Sequence, residues 1–204
     1  MEKVDFKKTL KHLYVPKKKF EIVDVPEMQF LMVDGHGDPN TAQEYADAAE
    51  ALFGVAYKIK FISKKTLERD YTVPPLEGLW WAADMDTFVS RDKSAWDWTM
   101  MIMTPDWITA EIFDEAIAEV RKKKNPASLD KVRLEKYHEG LSVQIMHIGS
   151  YDDEAPTIAA LHNDFLPANA LTENGKHHEI YLSDPRRVAP EKLKTVLRQP
   201  VKKN

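Results

Sequence analysis

The sequence contains no cysteine among its 204 residues. Disulfides, thiolate metal ligands and thiol nucleophiles are therefore excluded, because each of them requires a cysteine sulfur. The sequence also lacks a GxSxG elbow, a P-loop, a GxGxxG fingerprint and an HExxH motif. The turn Gly35-His36-Gly37 has no third glycine at the spacing that nucleotide binding needs. Any catalysis must come from other side chains.

Long apolar runs are missing as well. No stretch approaches the roughly 18 apolar residues of a membrane-spanning helix, and the first 20 residues contain no apolar segment of signal-peptide length. We therefore expect a cytoplasmic protein with no membrane partner. The net charge of −4 gives no electrostatic reason for a nucleic-acid partner, and we expect none.

The remaining composition is that of an ordinary globular protein, with 43% hydrophobic and 30% charged residues. It predicts one domain or two tightly fused halves. Residues 1–19 carry seven lysines and are predicted to form a basic, solvated arm that precedes a domain at 20–204. A nucleic-acid contact by this arm is the weaker alternative.

Periodicity predicts a mixture of strands and helices. A proline at position 26 separates two predicted strands, and Thr41 and Glu44 have the spacing of a capping box at the start of a helix. Thr104 and Pro105 similarly indicate the start of a second helix. The predicted strands are 20–25, 28–33, 76–83, 95–103, 141–148 and 177–182. The predicted helices are 41–60, 104–124, 155–166 and 190–197. The charged segment 84–93 is predicted to connect two strands.

A weak internal repeat supports a duplicated fold. FLMVDGHGD at 30–38 and QIMHIGSYD at 144–152 share three identical positions, and a predicted helix follows each segment. We therefore predict an α+β protein whose two similar halves, about 20–103 and 105–184, meet with a ligand cleft between them.

The segment HHEIYLSDP contains the leading candidate site. Strand alternation places Glu179 and Tyr181 on one face and Ile180 and Leu182 on the other. A carboxylate and a phenol on one face of a concave site can bind a flat cation or activate water. An ordinary solvated strand face is the alternative.

Histidines and tyrosines supply further candidates. His147, His177 and His178 invite a metal hypothesis, but adjacent strand positions point to opposite faces, so we predict neither a metal nor a cofactor. Tyr137 and Tyr151 are candidate phenol donors beside the better placed Tyr181.

Four of the five tryptophans lie on two adjacent predicted strands, at positions 80, 81, 96 and 98. They are able to form a wall on which a planar ligand stacks. Packing within the core is the alternative for each of them.

Several segments together resemble the GyrI-like small-molecule-binding family. They are FEIVDVPEMQFLMVDGHGDPN, ALFGVAYKIKF, PPLEGLWW, WDWTMMIMTP, VQIMHIGSYDDEAPTIAALH and HHEIYLSDPRR, which span about residues 20–187. The resemblance implies β-α-β-β halves with pseudo-twofold symmetry and an aromatic cleft for flat hydrophobic, often cationic, molecules. It also implies that Glu179 is the ligand-facing glutamate and favours Trp81 and Trp98 as the stacking residues.

The segments PPLEGLWW and WDWTM resemble the branch of this family that hydrolyses cyclopropanoid genotoxins. This implies a hydrolase in which Glu179 activates water and Tyr181 or Tyr137 hydrogen-bonds the developing oxyanion. A non-catalytic protein that sequesters cationic hydrophobic compounds is the alternative. In either case the predicted ligand-binding residues are Trp81, Trp98, Tyr151, His147, Met100 and Phe61.

Overall fold

A computed structural model describes residues 2–83 and 92–204. It divides the chain into two compact units: the first contains Met1–Thr9 and Met28–Tyr137, and the second contains Leu10–Glu27 and His138–Asn204. Both units are discontinuous in sequence, so their limits differ from those of the predicted halves. The pseudo-twofold duplication stays a prediction, and most of the predicted 84–93 connection lies outside the described residues.

The first unit is built on antiparallel strands. β5 (Asp97–Thr104) lies between β2 (Glu21–His36) and β4 (Leu76–Trp81), and residues 29–36 of β2 pair with it. A short β1 (Lys3–Val4) pairs in parallel with β3 (Asp70–Tyr71). Together with its helices, this antiparallel arrangement agrees with the predicted α+β class.

Helix α3 (Gln43–Thr66) is the longest helix of the first unit. Its buried residues recur at helical spacing, and many are small, which lets the helix approach the neighbouring elements closely. The predicted capping box is wrong, because the residue before the helix is Ala42, whose side chain caps nothing. The fully buried apolar residues of this face are Ala48, Ala51, Leu52, Val55 and Ile59.

Helix α4 (Ala110–Lys123) begins later than the sequence suggested. Its cap is Thr109, whose side-chain oxygen accepts a hydrogen bond from the Ile112 amide at 3.5 Å. Thr104 instead ends β5, and its hydroxyl oxygen accepts a hydrogen bond from Gln29. The Thr-Pro pair marked the end of a strand rather than the start of a helix.

The second unit has β9 (Lys194–Lys203) at its centre. β6 (Arg133–Ile148) pairs with one edge of β9, and β8 (His177–Tyr181) and β7 (Leu171–Glu173) pair with the other edge, all antiparallel. A helical segment precedes β7, and its apolar side chains pack on the sheet. That segment comprises a 3₁₀ turn (Tyr151–Glu154), α5 (Ala155–Ala160), a π-helical turn (Leu161–Phe165) and α6 (Leu166–Ala168), and the core beneath it contains Val143, Leu161, Leu166, Leu171 and Val201.

Two predictions of strand and helix limits were wrong. The break at Pro26 does not occur, because proline keeps the preceding residue extended and β2 therefore runs through it unbroken. The predicted helix at 190–197 is a 3₁₀ turn (Pro190–Lys192) followed by β9, in which residues 195–201 are all buried. A strand that is covered on both faces loses the alternation that identifies strands in a sequence.

The amino-terminal arm is more ordered than expected. The chain forms α1 (Phe6–Thr9) and α2 (Lys11–Tyr14), and the side chains of Leu13 and Tyr14 are buried. The prediction of a wholly solvated arm was therefore wrong, although all seven of its lysines are exposed.

No helix in the described ranges, 2–83 and 92–204, has the length and apolar character needed to cross a membrane.

Candidate functional site

Strand register in the second unit sets the face on which the candidate site lies. Tyr181 of β8 is opposite Thr195 of β9, which in turn is opposite His147 of β6. Directly paired residues point to the same side of a sheet, so Tyr181 and His147 share a face with Glu179. The predicted shared face of Glu179 and Tyr181 is thus confirmed.

The carboxylate of Glu179 is held between two side chains of its own strand. The Tyr181 hydroxyl donates a hydrogen bond to Oε2 at 2.7 Å, and Nε2 of His177 lies 3.3 Å from Oε1. The Glu179 side chain is only 15% exposed. It is therefore not part of an ordinary solvated strand face.

Burial and hydrogen bonding act on this carboxylate in opposite directions. Burial is the largest influence and raises the pKa of Glu179, but the contacts with His177 and Tyr181 and the charge of His178 together outweigh it. The net result is a lowered pKa. Glu179 is consequently ionised at neutral pH, either as a counter-ion or as a weak base.

Tyr151 is a second phenol at this site. Its ring packs edge-on against Tyr181, with 5.8 Å between ring centroids and 83° between planes, and it remains 36% exposed. Burial and the nearby charges of Glu154 and Glu179 raise the pKa of Tyr151 to about 12. Its hydroxyl therefore keeps its proton throughout the physiological range.

His147 is buried behind the turn that leads to Tyr151. Its Nε2 lies 3.1 Å from the carbonyl oxygen of Ser150, and its side chain contacts the turn at Gly149. Gly149 has a φ of +151°, and a Cβ there would lie 3.0 Å from Nε2 of His147. His147 thus supports the position of Tyr151, and its predicted contact with a ligand stays a prediction.

The opposite face of β8 contains a charged network that the sequence did not predict. Nδ1 of His178 lies 3.0 Å from both carboxylate oxygens of Glu139, and Nη1 of Arg198 lies 3.1 Å from Oε2. The exposed fractions of these side chains are 0%, 2% and 1%. His177 and His178 therefore face apart, as predicted, and His178 belongs to a buried network.

This network also holds helix α2. Arg198 donates to the carbonyl oxygen of Leu13 at 2.7 Å and to Oε1 of Gln144 at 3.0 Å, while Gln144 donates to the carbonyl oxygen of His12. Burial raises the pKa of Glu139, but His178 and Arg198 lower it more, to about 2. An arginine among the apolar residues Val196, Leu197 and Val201 was the one available sequence signal.

The first unit contains the other predicted residues. Trp98 and Met100 on β5 are 0% exposed, so neither has a surface open to a ligand. The ring of Trp98 packs against Tyr45 and covers Gly35, where a Cβ would lie 2.1 Å from the indole. For Trp98 the alternative of core packing is the one that the structure favours.

Three further predicted residues of the first unit are less enclosed. Trp81 ends β4 and is half-buried, and Tyr137 is half-buried with its ring centroid 6.4 Å from that of Phe30. Phe61 lies on α3 and is 57% exposed. Their predicted contacts with a ligand, and the catalytic role of Tyr137, stay predictions.

Comparisons with known proteins identify a matching family and similar structures. The sequence matches the family model of the GyrI-like small molecule binding domain over residues 18–202. An uncharacterized conserved protein from Listeria innocua is 45% identical and has a TM-score of 0.91, with 98% of this chain and 100% of that chain covered. A hydrolase from Listeria innocua is 43% identical with a TM-score of 0.87 and the same coverage.

More distant similarity is limited to the fold. The EcmrR C-terminal domain has a TM-score of 0.58 at 10% identity, with 91% of this chain and 98% of that chain covered. No curated protein matches the sequence.

Proposed function

We propose, from the premise that this chain belongs to the GyrI-like small molecule binding domain family, that it binds flat hydrophobic molecules and hydrolyses cyclopropanoid compounds among them. The observation that carries the proposal is the ionised, poorly exposed Glu179 carboxylate, which Tyr181 holds in place. The 43% identical protein described as a hydrolase supports a hydrolytic reaction.

In the proposed reaction Glu179 accepts a proton from water while the water oxygen bonds to a cyclopropane carbon. The carbon–carbon bond of the strained ring breaks, and its electron pair moves through the conjugated dienone to the carbonyl oxygen. The resulting phenolate takes up a proton from solvent, and Glu179 releases the proton that it accepted, so that one water molecule is added overall. A carboxylate with a lowered pKa is a weak base. Such a base suits a substrate whose ring strain and gain of aromaticity already favour opening.

We propose a different role for Tyr181 from the one expected from the sequence. The Tyr181 hydroxyl proton is directed at Glu179, so Tyr181 orients the base rather than the substrate. We assign the oxyanion contact to Tyr151, whose partly exposed ring packs edge-on against Tyr181 and whose hydroxyl is a neutral hydrogen-bond donor.

Sequestration without chemistry is the second candidate. The same ionised carboxylate beside the rings of Tyr151 and Tyr181 offers a negative charge and aromatic surface to a flat cation. In this function Glu179 neutralises the ligand charge and activates no water.

Product analysis distinguishes the two functions. The purified protein is incubated with a duocarmycin-type cyclopropanoid, and the compound is examined by mass spectrometry. We expect the mass to increase by that of one water molecule. Unchanged compound, together with saturable binding of an aromatic cation, would favour sequestration, and a protein that does neither would contradict both proposals.

Tyr181→Phe is expected to move the pH dependence of turnover. The hydroxyl stabilises the ionised form of Glu179, so its loss raises the pKa of Glu179. The acid limb of kcat/KM should therefore shift to higher pH. Tyr57→Phe, an exposed tyrosine on α3, is the matched control and should leave the profile in place. An unshifted profile in Tyr181→Phe would show that Glu179 is not the titrating base.

Trp81→Ala is expected to weaken the binding of a flat aromatic cation about tenfold, the scale of one stacking contact of about 1.4 kcal/mol. Trp98→Phe is the control, because the Trp98 ring is fully buried. It should lower thermal stability while changing affinity little. Binding is measured by fluorescence titration, and equal affinities of wild type and Trp81→Ala would show that Trp81 does not contact the ligand.

A further inference from the structure

Helix α3 exposes a row of three aromatic side chains. Phe53, Tyr57 and Phe61 are 36%, 49% and 57% exposed, and their spacing of four residues places them along one side of the helix. The rings of Phe53 and Tyr57 lie 6.4 Å apart. We call these three residues the α3 stripe. Single exposed apolar residues are common, but a continuous row of them marks an interaction surface.

Opposite charges stand at the two ends of the α3 stripe. Glu50 lies one turn before Phe53, and Lys64 lies one turn after Phe61; their side chains are 46% and 52% exposed. Glu50 contacts Lys124, and Lys64 lies 3.4 Å from Asp70. Asp70 is also paired with Lys60 at 2.8 Å, and both Glu50 and Lys64 keep about half of their side-chain surface exposed, so both charges can face a second partner.

We propose that two copies of the chain pair through the α3 stripe in an antiparallel arrangement, with the twofold axis at Tyr57. Glu50 and Lys64 are equally distant from Tyr57 along the helix. A twofold axis at this point places the Glu50 of each copy beside the Lys64 of the other.

The same operation pairs the aromatic residues. Phe53 of each copy meets Phe61 of the other copy, and the two Tyr57 side chains meet at the axis. The macrodipoles of the two helices also run in opposite directions, which is the favourable arrangement. The surface is thus complementary to itself in polarity and charge, as a twofold interface requires.

The interface is small, because one helix from each copy supplies it. Interfaces below the standard size are weak and reversible, and we expect a dissociation constant of roughly 10 µM. Sedimentation velocity across about 1–200 µM should therefore show a concentration-dependent change from monomer to dimer. A protein that stays monomeric over this range contradicts the proposal.

Tyr57→Lys places two positive charges at the axis and should weaken dimerisation at least tenfold. Ile22→Lys is the matched control, since it also replaces an apolar residue that is 50% exposed, and it should dimerise as wild type does. Circular dichroism checks that both variants fold. Wild-type dimerisation by Tyr57→Lys overturns the assignment of the surface.

Charge reversal tests the orientation, and circular dichroism checks that each variant stays folded, since the reversals also disturb the contacts with Lys124 and Asp70. Glu50→Lys and Lys64→Glu should each weaken the dimer, because each brings like charges together at both ends of the stripe. The double variant restores opposite charges and should dimerise more tightly than either single variant. Additive weakening in the double variant would rule out the antiparallel pairing.

The absence of native cysteine permits a direct test of proximity. In Tyr57→Cys, a short bis-maleimide should link two copies rapidly, because the two thiols lie at the axis. Glu115→Cys, an exposed position on α4, is the control and should react without forming dimers. Equal crosslinking of the two variants, or linkage only to unrelated proteins, contradicts a contact between two copies.

Discussion

Replacing Glu179 by glutamine is expected to lower the turnover of a cyclopropanoid substrate by about 10²-fold or more, the usual scale of general-base catalysis. Glutamine keeps the shape of the side chain and accepts the hydrogen bond from Tyr181, but it has no basic oxygen. Binding of a neutral substrate should change little, so the loss appears in kcat rather than in KM.

The control for this experiment is Glu191→Gln, the same substitution at an exposed position in the turn before β9. It should retain wild-type turnover. Undiminished turnover in Glu179→Gln would remove this residue from the mechanism. If wild type has no turnover and the variant binds aromatic cations more weakly, then the carboxylate is only a counter-ion.

Arg198→Met is expected to destabilise the protein by about 3–5 kcal/mol, because it leaves Glu139 buried without its guanidinium partner. The carbonyl oxygen of Leu13 also loses its donor. At roughly 2–4 °C per kcal/mol for a chain of this size, the melting temperature should fall by about 6–20 °C. Lys202→Met on the same strand is exposed and should have little effect.

The network also predicts how stability depends on pH. The folded-state pKa of Glu139 is about 2, below its ordinary value of 4.5. Because the pKa of Glu139 is lower in the folded state than in the unfolded state, its ionised carboxylate stabilises the fold at pH values above the unfolded pKa. This stabilisation is lost as the pH falls from about 4.5 towards 2. The shift corresponds to about 3 kcal/mol.

Urea unfolding at a series of pH values measures this contribution. Wild type should lose stability steeply across the acid range, whereas Glu139→Gln should be less stable at neutral pH and lose less on acidification. Parallel pH profiles for the two proteins would show that Glu139 is not the group responsible.

The sequence correctly predicted those strands whose own residues are typical of a strand. The limits of β4, β5 and β8 were placed within about two residues, because each is a short run rich in aromatic or other large apolar residues. The sequence failed for β9, because Arg198 lies within its buried run. An arginine can occupy a core position only if a carboxylate is there to pair with it. The partner of Arg198 is Glu139, which lies 59 residues earlier, so the sequence around β9 does not reveal it.

The candidate site divides in the same way. Local alternation was sufficient to place Glu179 and Tyr181 on one face. The burial of Trp98 was not predictable, because it depends on Gly35, a residue of another strand whose missing side chain makes room for the indole. The position of His178 likewise depends on Glu139, which the strand pattern does not identify.

The central position of β9 has a consequence for the order of events during protein synthesis. The second unit begins with residues 10–27, yet the strand that joins β6 to β8 comprises residues 194–203. A ribosome releases these residues long after the first ones have emerged. Until then α2 lacks the Arg198 contact, and β6 has no β9 to pair with. The nascent chain therefore exposes Leu13 and Tyr14 from early in synthesis, and it exposes the β6 edge from the time residues 133–148 emerge until β9 follows. This last interval is the one in which a chaperone is most needed.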